Sequence, residues 1–186
     1  MKRVCWIGLL CLLLAGCNLS AGATAVPTSL PVVNPTAAPS ATLPEIEPTV
    51  PASLTISLIA LDDKGVSGPQ IGCDDSVVSV QTDLPTGPKP NYLKYALEKL
   101  LSIKDRDFGQ SGLVNALYQS TLTVDDAKIV DGKAVIHLSG DFMLNGTCDI
   151  PRVEAQLEYT ARQFAEVNSV EIFVNDKPIK EALSLK

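Results

Sequence analysis

Closely spaced prolines restrict where this chain can fold. Between residues 27 and 51 a proline recurs every three to five residues, in a background of alanine, threonine, serine and valine with almost no charge. Proline fixes φ and has no backbone N–H, so such a segment favours extended polyproline II over helix or paired sheet. At about 3.1 Å per residue, the segment could reach roughly 100 Å. We predict a spacer over residues 17–52 and one folded domain over residues 53–186.

The N-terminus has the features of a bacterial export signal. Lys2 and Arg3 precede an apolar run over residues 4–14, which is shorter than the roughly 20 residues of a membrane-spanning helix. The run ends in Leu14-Ala15-Gly16-Cys17, which is similar to a lipobox, where a cysteine is acylated and the preceding peptide removed. An ordinary secretory signal is the alternative. We predict a signal peptide over residues 1–16 and lipidation of Cys17, which would anchor the protein on the extracytoplasmic face of the cell membrane.

The charge balance narrows the classes of partner. The chain carries 15 Lys and Arg against 21 Asp and Glu, a net charge of −6, and loss of Lys2 and Arg3 with the signal peptide would make it more acidic. An acidic chain with no basic tract lacks the electrostatic footprint of a nucleic-acid-binding protein. We expect no nucleic acid partner, and the lipid rather than charge would hold the protein at the membrane.

Two of the five cysteines lie in the predicted domain. Cys5 and Cys11 would leave with the signal peptide and Cys17 would carry the lipid, so Cys73 and Cys148 remain. A pair of cysteines in an exported domain is most simply a disulfide. A metal pair or a redox site is the alternative, but two isolated cysteines supply neither four zinc ligands nor a C-x-x-C motif. The bridge would contribute on the order of 4 kcal/mol by closing a long loop.

The pattern of the remaining residues predicts a mixed fold. Alternating β-rich runs, helical spacing of leucines after the N-cap residue Asn91, and an Asp131-Gly132 hairpin give the element order β-β-α-β-β-α-β. Residues 104–119 are ambiguous and are read as a loop with a helical turn at 113–117. Asp149 is the expected cap of the second helix. We predict the α+β class, with a mainly antiparallel sheet covered on one face by two helices. The predicted strands cover residues 54–61, 77–82, 120–129, 133–138 and 169–175, and the first helix extends to about residue 102.

The sequence offers little catalytic chemistry. His137 alternates onto the same face of its strand as Val135 and Ser139, which predicts a half-exposed strand residue, and no G-x-S-x-G motif is present. The aspartate pairs 62–63, 74–75 and 125–126 lack the alternating oxygens of a calcium loop, so we interpret them as turn-forming, solvated residues. We therefore predict no catalytic residue, no metal and no cofactor.

Four polar residues near or on the second helix allow two interpretations. They could line a binding surface, or they could hydrogen-bond buried backbone. Thr160 lies on the apolar stripe of the helix, which favours the structural role. The structural role is also favoured for Arg152 and Asp149, since they flank the helix start next to the proposed disulfide. The four residues are Asn115, Arg152, Gln156 and Thr160.

Several segments of the predicted domain carry a resemblance to a known family: residues 113–120, the Asp-Gly hairpin, residues 134–139, Gln156 with residues 160–164, and Asn175-Asp176. Together they resemble the GerMN (sporulation and spore germination) domain, over residues 54–180. Asp176 stands where members of that family often have glycine. The cysteine neighbourhoods, Gly72-Cys73 and residues 148–152, look like those of a subgroup of exported lipoproteins. The resemblance implies an envelope protein similar to ring-building modules that assemble in secretion and sporulation complexes, with no established catalytic activity.

These features together favour a non-catalytic lipoprotein that mediates protein interaction or assembly in the cell envelope, through an envelope partner or through self-association. The alternative is a binding module for a cell-wall saccharide or a small ligand. Saccharide binders usually present several aromatic side chains on one face, whereas the aromatic residues here are few, 5 % of the chain, and scattered. The sequence therefore favours assembly.

Overall fold

The computed structural model describes residues 51–184, which alternate between strands and helices. The predicted signal peptide, Cys17 and the spacer as far as residue 50 lie outside the described residues. The elements are β1 (Leu54–Ala60), a 3-10 turn (Gly72–Asp74), β2 (Ser76–Thr82), α1 (Tyr92–Ser102), β3 (Leu113–Val114), β4 (Thr123–Val130), β5 (Lys133–Ser139), α2 (Asp149–Arg162), β6 (Ser169–Val174), β7 (Lys177–Pro178) and α3 (Ile179–Ser184).

The strands form two sheets, in the orders β2-β1-β3 and β4-β5-β6-β7. Among the strands of residues 51–184, only β5 and β6 form a parallel pair, and α2 supplies the long crossover that such a pair requires. The predicted α+β class and the mainly antiparallel pairing are confirmed. The expectation of a single sheet is wrong, because the second edge of β1 is bonded to helix side chains and to the two-residue strand β3 rather than to another long strand.

Two tight turns connect neighbouring strands of the second sheet. Asp131 and Gly132 have φ values of 50° and 78° and join β4 to β5, which confirms the predicted hairpin. Asn175 and Asp176 have φ values of 49° and 64° and join β6 to β7. Positive φ at both central residues is the requirement of a type I′ turn. The sequence analysis missed both this second hairpin and α3, because β7, which lies between them, is only two residues long.

Helix α1 agrees with its predicted cap and length. The Asn91 side chain accepts a hydrogen bond from the N–H of Lys94 at 3.0 Å, and the helix ends at Ser102. Its apolar stripe is buried in the main core, together with residues of α2, α3, β1 and the second sheet. The buried stripe consists of Leu93, Ala96, Leu97, Leu100 and Leu101.

Two local expectations differ from the structure. Asp149, the expected N-cap residue of α2, is its first helical residue, and Cys148 is the N-cap residue. The Asp149 carboxylate does not cap the helix, because it accepts hydrogen bonds from the N–H of Asn145 and from Arg152. The expected helical turn at 113–117 is the strand β3 followed by a turn at residues 116–119. Among residues 51–184, no helix has the length and hydropathy to span a bilayer.

Candidate functional site

The N-terminal end of α2 is tied to the start of β2 by a disulfide. Cys73, in the 3-10 turn, is bonded to Cys148, the N-cap residue of α2, with a Cα–Cα distance of 5.8 Å. Gly72 packs against the ring of Pro151, where an added Cβ would lie 3.0 Å from Cγ. The bridge closes a loop across a sequence separation of 75 residues, so the first sheet and α2 are covalently joined at this end of the domain.

A buried carboxylate beside the disulfide is neutralised by an arginine of α2. The side chain of Asp75 is 1 % exposed and accepts a hydrogen bond from Nε of Arg152 at 2.6 Å. Nη1 of Arg152 lies 3.2 Å from the Asp149 carboxylate. The expectation that Asp75 is a solvated turn residue is therefore wrong. Its partner lies 77 residues away in the sequence, so no local pattern reveals the burial.

The environment of Arg152 stabilises its charged form. Burial lowers the pKa of Arg152, but the hydrogen bond and charge of Asp75, reinforced by Asp149, raise it by more, and the net shift is upward. Removing one partner from such a group leaves an uncompensated buried charge. The three side chains therefore form an ion triad of one cation and two carboxylates, and the positive charge of Arg152 is already satisfied within the protein.

Gln156 lies at the centre of a second polar cluster, which is completely buried. Its Nε2 donates to the carbonyl of Ser57 at 3.0 Å and to Oδ1 of Asn115 at 3.1 Å, while its Oε1 accepts the N–H of Ala116 at 2.8 Å. Ser57, Asn115 and Gln156 are all 0 % exposed. The amide thus joins β1 to the turn after β3, and the structure favours the structural interpretation of Gln156 and Asn115.

Two polar side chains of α2, together with its C-cap residue Gln163, occupy the edge of β1 that faces away from β2. Oγ1 of Thr160 accepts the N–H of Ser57 at 3.0 Å, and the Gln163 amide exchanges two hydrogen bonds with the backbone of Thr55 at 2.7 and 2.8 Å. Together with Gln156, these residues lie on one helix face, and the helix runs antiparallel to the strand. The structural role predicted for Thr160 is confirmed, and α2 acts as a substitute for a neighbouring strand.

A small cleft opens above these two clusters. Its volume is about 200 Å³, below the roughly 300–1,000 Å³ of typical small-molecule sites. The charged groups at the cleft are internally paired, since Arg152 binds Asp75 and Asp149, and Arg106 binds Asp107. The lining residues are Arg106, Val114, Asn115, Ala116, Tyr118, Asn145, Gly146, Cys148, Asp149 and Arg152.

A wider groove lies between α2 and the strands β6 and β7. Its volume is about 490 Å³ and its lining includes Ile172 and Phe173. Two of its acidic lining residues are paired with cations outside the groove, Glu158 with Arg162 and Glu171 with Lys133. The groove lining also includes the charged residues Glu154 and Lys180.

The single histidine is a strand residue that stacks on an aromatic neighbour. His137 is half-buried on β5, and its ring centroid lies 5.0 Å from that of Phe173, with 12° between the ring planes. These two residues are register partners across the parallel pair β5 and β6. The predicted half-exposed position of His137 is confirmed, and its stacking partner was not foreseen.

The C-terminal end of β2 is joined to α1 by an exposed polar cluster. The Tyr95 hydroxyl donates to Asp83 at 2.5 Å, and Nζ of Lys99 lies 3.0 Å from the other carboxylate oxygen. The hydrogen bond from Tyr95, followed by that from Lys99, holds the pKa of Asp83 well below its usual range. The same contacts raise the pKa of Tyr95 and of Lys99, so the cluster favours the fully charged Asp–Lys pair.

The family of the chain follows from its sequence profile. The model of the family described as "Germane: Sporulation and spore germination" matches residues 60–180. The chain belongs to this family. No curated protein matches the chain. Residues 60–180, the Germane domain, thus contain the disulfide, the ion triad of Arg152 and the whole second sheet, whereas Ser57 of the Gln156 cluster lies just before them.

Two solved structures from Bacillus subtilis are similar to the chain. The first GerMN domain of the sporulation protein GerM is 20 % identical, with a TM-score of 0.49, and the alignment covers 71 % of this chain and 89 % of that one. The tandem GerMN domains of GerM are 17 % identical, with a TM-score of 0.44 and coverages of 67 % and 39 %.

The structure brings together most residues that the sequence singled out. Cys73 and Cys148 are adjacent, Asp149 and Arg152 lie beside them, and the remaining three polar candidates hydrogen-bond buried backbone. Sequence analysis missed Asp75, Ser57 and Gln163. Gln163 carried a usable signal, since it follows Thr160 by three residues and Gln156 by seven, on the same helix face.

Proposed function

We propose that this protein is a membrane-anchored extracytoplasmic lipoprotein whose Germane domain mediates protein assembly in the cell envelope, without catalysis. The observation that carries the proposal is the order of segments along the chain. The lipobox-like Leu14-Ala15-Gly16-Cys17 is followed by the proline-rich spacer and then by the family domain over residues 60–180. A domain on a long extended tether can reach partners at a distance from the membrane.

The bridged cysteines support an extracytoplasmic location. Disulfides persist in oxidising compartments and are rare where thiol reductants dominate. Cys73 and Cys148 are bonded in the structure, and the residues around the bridge carry a buried ion triad that depends on the local geometry. An exported location is the condition under which this bridge would be stable.

Assembly is a better explanation of the domain than ligand binding. The charged side chains and the Asn115 amide at the small cleft bond one another or the backbone, so a saccharide that used these groups would have to displace existing bonds. Tyr118 is the single aromatic residue in its lining, whereas sugars commonly bind to several. The alternative, a binding module for a wall saccharide or small ligand, has no comparable support.

Membrane anchoring is tested by substituting the acyl acceptor. Cys17→Ser is expected to move the protein from the membrane fraction to the soluble extracytoplasmic fraction, because one or more acyl chains are lost. Cys5→Ser, in the predicted signal peptide, is the matched control and should remain at the membrane after processing. Unchanged membrane retention of the Cys17 variant would contradict the proposed anchor.

Assembly is tested by crosslinking the intact lipoprotein in living cells and identifying what co-purifies in detergent. A stoichiometric protein partner or a ladder of self-adducts supports the proposal, whereas recovery alone or with wall fragments contradicts it. His137→Ala should leave the cellular phenotype intact, since the ring only stacks on Phe173. A lost phenotype with unchanged stability would indicate catalysis instead.

A further inference from the structure

Most strand edges in residues 51–184 are already occupied. The outer edge of β1 is bonded to α2 and β3, and that of β3 is bonded to residues 106–108. On β4, the side chains of Asn91 and Lys94 donate to the carbonyls of Ala127 and Asp125. The edge strand β7 has two residues and continues into α3. The strand β6 is paired by β7 only at Phe173 and Val174, and its remaining residues include the charged Glu171. Covering, shortness and charge are devices by which natural proteins keep strand edges from pairing with other chains.

The edge of β2 that faces away from β1 is covered only at its start. The N–H of Val77 donates to the carbonyl of Pro69 at 2.9 Å, and the loop is so close that a Cβ on Gly68 would lie 1.9 Å from the Val77 carbonyl oxygen. Since the strand period is two, the backbone groups of Ser79 and Gln81 point to the same side as those of Val77. Among the described residues, none hydrogen-bonds the backbone of Ser79 or Gln81 on that side.

The open stretch therefore covers residues 78–82, between the covering loop and the cluster at Asp83. The strand Ser76–Thr82 contains no charged residue, proline or glycine, and Ser79 and Gln81 are exposed. Natural proteins usually protect an exposed edge with charge, proline or a bulge. This edge has none of those devices, although both ends of the strand are held firmly.

We propose that β2 pairs antiparallel with β2 of a second copy of this chain, around a two-fold axis at Val80. In that register Ser79 faces Gln81 of the other copy and Gln81 faces its Ser79, so the four outward N–H groups and four outward carbonyls form four hydrogen bonds. Val78 faces Thr82, and Val80 faces its counterpart. Val80 is the middle residue of the open stretch, so the residues that the symmetric register pairs are the same residues 78–82 that are left open at the edge.

The charge distribution allows a second copy to approach at this edge and disfavours its approach elsewhere. The chain is acidic overall, with a net charge of −6, so two copies repel each other over most of their surfaces. The pairing residues of β2 are uncharged, and the nearest acid, Asp83, is neutralised by Lys99. The inference rests on the proposed function in one respect, since anchoring in one membrane raises the effective concentration of copies.

The test uses two double variants of the full-length lipoprotein that place charges at the same exposed positions. Ser79→Lys with Gln81→Lys sets lysine opposite lysine twice in the symmetric pair. Ser79→Lys with Gln81→Glu sets lysine opposite glutamate twice. Sedimentation equilibrium in detergent micelles is expected to show a concentration-dependent dimer for the unmodified protein and for the lysine–glutamate variant. The dilysine variant should dissociate, with dissociation constants of the two variants differing by roughly tenfold or more.

Equal melting temperatures of the two variants would establish that both are folded. A wild-type protein that stays monomeric at every concentration overturns the inference, and so does a dimer whose dissociation constant is the same in both variants. If the unmodified lipoprotein captures a different protein and neither variant binds that protein, the edge belongs to that partner, and self-pairing is overturned. Membrane fractionation is read separately, so retained anchoring with a monomeric protein refutes this inference but leaves the proposed anchor intact.

Discussion

Replacing Gln156 with leucine tests whether α2 substitutes for a strand. Leucine keeps a similar volume and restores an uninterrupted apolar stripe, so helix propensity and hydrophobic burial both favour the variant. It removes, however, the donor to the Ser57 carbonyl and the acceptor for the Ala116 N–H. If the hydrogen bonds dominate, the variant is less stable despite its better helix pattern.

The magnitude follows from the burial of the groups left behind. Ser57 is 0 % exposed and Ala116 is 6 % exposed, so water cannot easily replace the lost partner. An unsatisfied buried polar group costs about 1–3 kcal/mol, and two of them cost roughly 2–6 kcal/mol. Asn115 loses less, because its Oδ1 still accepts the N–H of Leu117 at 2.9 Å. For a domain of this size, the melting temperature should fall on the order of 10 °C.

Gln163→Leu is the matched control. Like Gln156, Gln163 bonds one backbone N–H and one backbone carbonyl, in this case both of Thr55. Gln163 is only half-buried, so water can replace its amide, and the loss of stability should stay below about 1 kcal/mol. Both variants are compared with the unmodified protein in thermal unfolding followed by circular dichroism. A cost for Gln156→Leu no larger than that for Gln163→Leu would refute the argument from buried hydrogen bonds.

Three further perturbations have defined outcomes. Arg152→Met should destabilise the domain by about 3–5 kcal/mol in denaturant unfolding, since Asp75 is left as an uncompensated buried charge; a change below about 1 kcal/mol would contradict the triad. Replacing both bridged cysteines with serine should cost about 2–5 kcal/mol, and non-reducing peptide mapping should recover Cys73 linked to Cys148 rather than two free thiols. Because the folded-state pKa of Asp83 is lowered, ionised Asp83 stabilises the folded domain above about pH 4, and this stabilisation is lost as the pH falls. The free energy of unfolding of Asp83→Asn should therefore depend less steeply on pH between about pH 5 and 2. An unchanged slope would refute the stabilising role of Asp83.

Sequence patterns predicted the elements whose determinants are local. The cap at Asn91, the leucine spacing of α1 and the Asp131-Gly132 turn each depend on residues within one turn of helix or one hairpin, and all three agree with the structure. The cysteine pairing was also accessible, because elimination left two cysteines in the domain. Such features follow from short-range geometry and composition.

The division into two sheets could not be predicted in the same way. It depends on which groups satisfy the outer edge of β1, and these groups lie roughly one hundred residues away in the sequence, as with Thr160 and Ser57. The burial of Asp75 has the same origin, since its partner Arg152 is equally remote. Local residue preferences for Asp75 indicate a solvated turn, and only the tertiary contact reverses them.

The polar residues on the stripe of α2 still contain information that sequence analysis can use. Helix positions i, i+4 and i+7 lie on one face. Polar side chains at that spacing within an apolar stripe can therefore reach the outward groups of one strand edge, as Gln156 and Thr160 do at Ser57 and Gln163 does at Thr55. Leucine at these positions would give a more regular amphipathic helix and an unsatisfied edge on β1. The local irregularity is thus required by the global fold, and it closes β1 to any other chain while β2 stays open.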